Sequence, residues 1–130
     1  MTTHAGTTRR TVMAGWALAS LFGVQAAHAA PPASVQMEVN FLLGYVEGSG
    51  CDFERNGSWH TSAQAQVHLR TKFDYLVRTD ALKTTEQFID DAASRSSMSG
   101  KIYRIRCAGG EAIASGPWLH EELARMRRRP

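Results

Sequence analysis

Cys51 and Cys107 are the only cysteines of this 130-residue chain, and the segment ahead of them decides what they do. Residues 1–10 carry Arg9 and Arg10 and no acid, residues 11–24 (TVMAGWALASLFGV) are apolar or small, and Ala27-His28-Ala29 supplies a small-x-small pattern. A basic start, a short apolar run and such a site describe a secretory signal, here removed after Ala29. A membrane anchor needs about 20 apolar residues. Gln25 and His28 end this run sooner, so no membrane span is expected. Thr8-Arg9-Arg10-Thr11-Val12-Met13 also resembles a twin-arginine export motif, which leaves twin-arginine and general secretion both open. Export to the periplasm places the thiols in oxidising surroundings, where two cysteines allow one intramolecular bridge. A Cys51–Cys107 disulfide would remove unfolded-state entropy worth about 4 kcal/mol, against a net stability of about 5–15 kcal/mol. A free thiol pair or an intermolecular bridge would be the alternatives, and Cys-x-x-Cys redox chemistry is excluded by the separation.

After the leader the chain is long enough for one domain. Residues 30–33, with Pro31 and Pro32, read as a flexible leader, and residues 34–130 as a single globular domain. The chain has 15 Lys and Arg against 12 Asp and Glu, and Arg9 and Arg10 leave with the signal. The remaining body is therefore close to neutral, without the basic stripe of a nucleic-acid binder. Arg125, Arg127, Arg128 and Arg129 crowd the C-terminus. They suit either weak contact with anionic phosphates of lipid or lipopolysaccharide or compensation of a helix dipole.

Periodicity sets the order of elements. Ser34 is placed to cap a helix in which Val35, Val39, Leu42, Leu43 and Val46 recur at helical spacing, and Gly48 and Gly50 end it. Residues 52–55 and 58–60 alternate around Asn56-Gly57, a strong hairpin signal. Thr61 with Gln64 makes a capping box for a helix whose face is Ala65, Leu69, Phe73 and Leu76. Thr84 with Gln87 repeats the box before Phe88, Ile89, Ala92 and Ala93. Residues 94–100 form a polar loop, and residues 101–107 alternate as a strand with Tyr103, Ile105 and Cys107 on one side. Gly109-Gly110 turns the chain into a short strand over residues 111–114. A last helix follows, capped by Ser115 or Gly116 and opened by Pro117, with Trp118, Leu119, Leu123 and Met126 as its apolar face. The expected fold is α+β: three or four helices packed on a small antiparallel sheet of two hairpins, with one disulfide.

The run Gly50-Cys51-Asp52-Phe53-Glu54-Arg55-Asn56-Gly57, then His60, His68-Leu69-Arg70 and Lys72, resembles the YfeK-like family of exported bacterial proteins. Residues 84–89 and 94–100, Arg106-Cys107, Gly109-Gly110, Ser115-Gly116 and Trp118-Leu119 extend the resemblance to about residues 36–126. That family has no known function, so the resemblance implies a periplasmic home and a shared fold and no activity.

Residue chemistry points away from catalysis. Ser96-Ser97-Met98-Ser99-Gly100-Lys101 echoes the end of a phosphate-binding loop without its first glycine or preceding strand. A Ser-x-x-Lys nucleophile would need serine where Met98 stands. These hydroxyls more naturally satisfy nearby backbone groups, with contact to a ligand as the alternative. His60, His68 and His120 match no zinc spacing, so neither metal nor other cofactor is expected. Asp90 and Asp91 are adjacent and point to different helix faces. Arg55, Asn56, Trp59, His60, Arg70 and Lys72 form the more interesting group, because a hairpin tip and the next helix can share a surface. Tryptophan beside arginine is typical of interaction hot spots, although Trp59, like Trp118, also suits a core. The expectation is a small non-enzymatic binding or inhibitor-like module of the cell envelope. It would recognise a protein or an anionic glycan through Arg55, Asn56, Trp59, His60, Arg70, Lys72, Ser97, Met98, Ser99 and Lys101. The alternative is an envelope hydrolase using Ser97 or Ser99 with His60 or His68.

Overall fold

A computed structural model describes residues 30–130 continuously, together with residues 2–7, 11–13, 15, 20 and 23. The expected cleavage point after Ala29 and the Arg9-Arg10 pair lie outside the described residues. The first helix, α1 (Ala33–Gly48), buries Val35, Val39, Leu42, Leu43 and Val46, the five positions its periodicity selects. Ser34 sits inside the first turn, and no side chain caps the helix after Pro32. At the other end Ser49 Oγ donates to Val46 O (2.7 Å) and accepts from Cys51 N–H (3.2 Å), turning the chain into the sheet.

Strands β1 (Asp52–Arg55) and β2 (Ser58–His60) are joined by Asn56 and Gly57, both left-handed at φ 50° and 83°. Helix α2 (Ser62–Arg78) starts from the capping box of Thr61 and Gln64, which satisfies two otherwise unpaired N–H groups. A second box, Thr84 with Gln87, opens the single turn α3 (Thr85–Gln87), which runs into a π-helical segment, Phe88–Ala93. The wider turn buries Phe88, Ile89, Ala92 and Ala93 together, and Ser94 Oγ donates to Ile89 O (2.6 Å) at its end. Gly116 packs against Ser94 so closely that a β-carbon there would stand 2.5 Å from Ser94 Oγ.

Strands β3 (Arg104–Arg106) and β4 (Ile113–Ala114) complete a four-stranded antiparallel sheet of order β2-β1-β3-β4. The regular strand is shorter than residues 101–107, because Tyr103 N–H and C=O bond instead to Ser94 O and Ser115 N–H. The turn before β4 uses Ala108 and Gly109 as its left-handed pair (φ 50° and 72°), one residue earlier than the glycine pair suggests. The two hairpins meet through β1 and β3, with Asp52 opposite Arg106, Phe53 opposite Ile105 and Glu54 opposite Arg104. One step beyond that register Cys51 and Cys107 are disulfide-bonded, their Cα atoms 4.4 Å apart.

The last helix, α4 (Ser115–Arg128), has no side-chain cap, since Ser115 Oγ is turned inward to donate to Ala93 O (2.6 Å). Leu119 and Leu123 reach the core, while Trp118 and Met126 lie at its margin. Trp118 stacks on Tyr45 at 4.6 Å and meets Phe53 edge-on. Of the C-terminal arginines, Arg127 bridges Glu38 of α1 (2.8 Å) and Glu86 of α3, and Arg125 holds Glu121 and Glu122 (3.1 and 2.8 Å). Arg129 lies 5.9 Å from the Phe41 ring centroid. Arg125 and Arg127 are thus committed to internal ion pairs. No described helix is long and apolar enough to cross a membrane.

Replacing both cysteines by alanine should lower the unfolding free energy in urea by about 4 kcal/mol, because the bridge closes a 56-residue separation in the unfolded chain. A loss of under about 1 kcal/mol would show that the bridge adds little to a sheet that forms without it.

Candidate functional site

The register that joins the hairpins also builds a cleft at the end of the sheet remote from the disulfide. Continuing one residue past the Glu54–Arg104 pair brings Arg55 beside Tyr103. On α2, His68 and Lys72 are four residues apart and share the flank facing them. The polar loop closes the other side, so Arg55, Asn56, His68, Lys72, Ser96, Ser97, Met98 and Tyr103 line a cleft of about 370 Å³. That volume lies in the range of small-molecule sites.

Tyr103 is the centre of the arrangement. Lys72 Nζ donates to its hydroxyl oxygen (3.2 Å) and to Arg95 O (2.9 Å), and lies 5.0 Å from the ring centroid. The hydroxyl is also 3.2 Å from His68 Nε2. With an ammonium donating to its oxygen, the phenol proton is free to donate to a neutral His68. Burial, followed by the charges of Arg55, Lys72 and His60, lowers the His68 pKa to about 4. Burial and then Arg55 lower Lys72 to about 8. Tyr103 is raised by burial against the opposing pull of Arg55. Burial is the first cause of all three shifts, and the nearby cations reinforce it at His68 and Lys72 and oppose it at Tyr103.

No residue lining the cleft is acidic, and Arg55 has no carboxylate partner among the described residues. The nearby acids are drawn away by strand alternation. Asp52 and Glu54 point to the opposite face of the sheet, where Glu54 holds Arg104 (2.8 Å) and Asp52 lies 3.7 Å from Arg106. Lys72 uses two of its three N–H donors on protein acceptors and keeps one for the cleft.

The serine loop is shaped by its own hydroxyls. Ser96 Oγ is buried and accepts from Met98 N–H (3.3 Å), Ser99 N–H (3.2 Å) and Asn56 Nδ2 (3.3 Å). Ser99 Oγ donates to Asn56 Oδ1 (2.6 Å) and accepts from Lys101 N–H (3.2 Å). Asn56 therefore pins the loop to the first hairpin. Ser97 lines the cleft, and Met98 stands 97% exposed at its rim. Lys101 is exposed away from it.

The residues expected to act together do not all share one place. Arg55, Asn56, Lys72, Ser97 and Met98 gather at the cleft, and His60 lines a smaller cavity behind it. Trp59 lies on the opposite face of the sheet, because adjacent strand residues point to opposite sides; there Arg106 covers its ring at 4.2 Å. Arg70 is on another flank of α2, where it donates to Asn40 Oδ1 (2.6 Å). Tyr103 and His68 were not among the expected binding residues. A tyrosine alternating with Ile105 on a buried face needs a partner for its hydroxyl, and His68 with Lys72 at helical spacing was the available clue.

Among the described residues no hydrogen bond joins Ser97 or Ser99 to His60 or His68: Ser99 Oγ donates to Asn56 Oδ1, and His68 Nε2 faces the Tyr103 hydroxyl. Among the described residues no group of three or more His, Cys, Asp or Glu could hold a metal ion.

The profile of a family of unknown function, DUF5329, matches residues 33–127, from the start of α1 almost to the end of α4. The chain is also similar to the uncharacterized protein YfeK of Salmonella typhimurium (strain LT2), with 45% identity over 51 residues. That match covers 39% of this chain and 41% of the length of YfeK. No solved structure matches.

His68 gives the site a pH signature. Its pKa in the fold, about 4, lies below the ordinary 6.5, so the unfolded chain binds more protons between those values and stability falls as pH drops through them. His68→Gln should therefore lose less stability than the wild type between pH 7 and pH 5 in urea titrations. Parallel losses would contradict a desolvated imidazole.

Proposed function

The chain belongs to the family of unknown function DUF5329, and we propose that it serves in the periplasm as a small non-enzymatic binding module for an anionic glycan of the cell envelope. One observation carries this reading: Arg55 and Lys72 converge on a cleft of about 370 Å³ that has no acidic residue in its lining. An ammonium and a guanidinium held near each other repel, and burial adds to the cost of the lysine charge. A bound carboxylate, sulfate or phosphate relieves both. Arginine offers a planar fork for such a group, and Lys72 adds a point charge with a free N–H.

The surroundings favour recognition over chemistry. Tyr103 and Asn56 are held by hydrogen bonds on both sides, so the walls are ordered before a ligand arrives. Cleft size favours a single charged sugar unit over a flat protein surface. Periplasmic action after removal of residues 1–29 is supported by the basic, apolar and small-residue pattern of the leader.

NMR titration of the oxidised protein with inorganic phosphate and with D-glucuronate tests the proposal. Saturable shifts should centre on Arg55, Lys72 and Tyr103. Arg55→Ala or Lys72→Met should weaken binding about tenfold to a hundredfold, as expected for loss of a charged hydrogen bond. Unsaturable shifts spread over the surface, or equal affinity in both variants, would refute it. Binding to an envelope protein that survives both substitutions would locate recognition elsewhere on the molecule.

A further inference from the structure

Behind the cleft lies a second cavity, and the two share three wall residues: Arg55, His68 and Tyr103. It is about 40 Å³ and is faced by the apolar side chains of Phe53, Ala65, Leu69, Ala93 and Leu119. One water needs about 10–15 Å³ of such space, so the cavity admits a group of two or three heavy atoms and no ring.

Several polar groups at its edge are already engaged. Ser115 Oγ donates to Ala93 O, Gln64 Oε1 accepts from Thr61 N–H, and the Glu54 carboxylate is turned to Arg104. Arg55, His60, His68 and Tyr103 also line the cavity, but most of the surface it presents is apolar, so water there gives up contacts that an apolar group would make. A methyl or ethyl group would replace it with a gain, because it removes apolar surface from solvent and fills space beside close-packed side chains.

We infer that the ligand is a small amphiphilic anion: a carboxylate or phosphate at Arg55 and Lys72, bearing a short aliphatic substituent that enters the cavity beyond Tyr103. The inference rests on the anion-binding reading above and adds to it a ligand class. A purely polar anion would use half the site, and a long acyl chain would overfill it. The cleft and the cavity share Arg55, His68 and Tyr103 as walls, so a substituent that reaches the cavity has to branch close to the charged group. Short-chain carboxylates have that shape, as do sugar acids with an acetyl or ether-linked methyl near the carboxylate.

Calorimetric titration with inorganic phosphate, acetate, propionate, butyrate and hexanoate tests this. Affinity should rise about fourfold per added methylene from acetate to butyrate, the increment for burying a CH₂ group, and should fall at hexanoate. Ala65→Leu, which fills the cavity, should abolish that rise and leave phosphate binding unchanged. In the wild type, intermolecular NOEs should connect the butyrate methyl to Leu69 and Leu119, a readout that does not depend on the variant folding. If phosphate and acetate bind but affinity is flat along the series, the two-part site is refuted and the anion site stands. If no anion binds, both fall together.

Discussion

The pairing of β1 with β3 is the contact on which the rest of the molecule depends. It joins two hairpins that are distant in the chain, and both of its ends are informative. Beyond Asp52 and Arg106 the pairing is closed covalently by Cys51–Cys107. Beyond Glu54 and Arg104 it opens into the cleft, with Arg55 on one strand and Tyr103 next to the other. A slip of one residue would send Arg55 to the outer face and bring Glu54 inward. The cleft would then hold its own counter-charge. Strand alternation thus sorts the charges: acids pair with Arg104 and Arg106 outside, while Arg55 is left inside without an acid.

Two charged clusters contrast, and the contrast supports the proposal made for the cleft. Around Arg127 every shift favours the charged forms: Glu38 and Glu86 are lowered chiefly by hydrogen bonds from Arg127, which is itself raised by them. Thr85, fully buried, adds a hydrogen bond to Glu38 (2.7 Å). That network is satisfied and ties α4 to α1 and α3. At the cleft the shifts run the other way, against charge on His68 and Lys72. Burial that disfavours the charged form adds no stability to the fold, and groups shifted in this way inside a cleft are candidates for function.

Much of the fold was legible because its signals are local. The apolar positions of α1, both capping boxes and the Asn56-Gly57 turn are set by neighbours within a few residues, and each lies where periodicity and turn chemistry put it. The disulfide was legible because two cysteines leave one pairing. What escaped depends on contacts between distant segments. The π-helical turn answers to the packing of Phe88, Ala92 and Ala93 and to the Ser94 bond, and the capping signal before it suits an ordinary helix equally well. Sequence proximity grouped Trp59 and Arg70 with Arg55, yet strand alternation and helical rotation carry both away from the cleft. Tyr103 belongs to the site only because β3 docks on β1, which no local pattern specifies.

Lys72 is a partly buried ammonium in a cleft with no acidic residue in its lining, and the proposed anion binding depends on it. Its side-chain titration, followed by heteronuclear NMR of the oxidised protein without ligand, tests that directly. A midpoint near the value of about 8 set by burial and Arg55 is the predicted result. A midpoint at the ordinary lysine value of 10.5 would mean that solvent or a counter-charge reaches the ammonium, and the anion site would lose its physical basis.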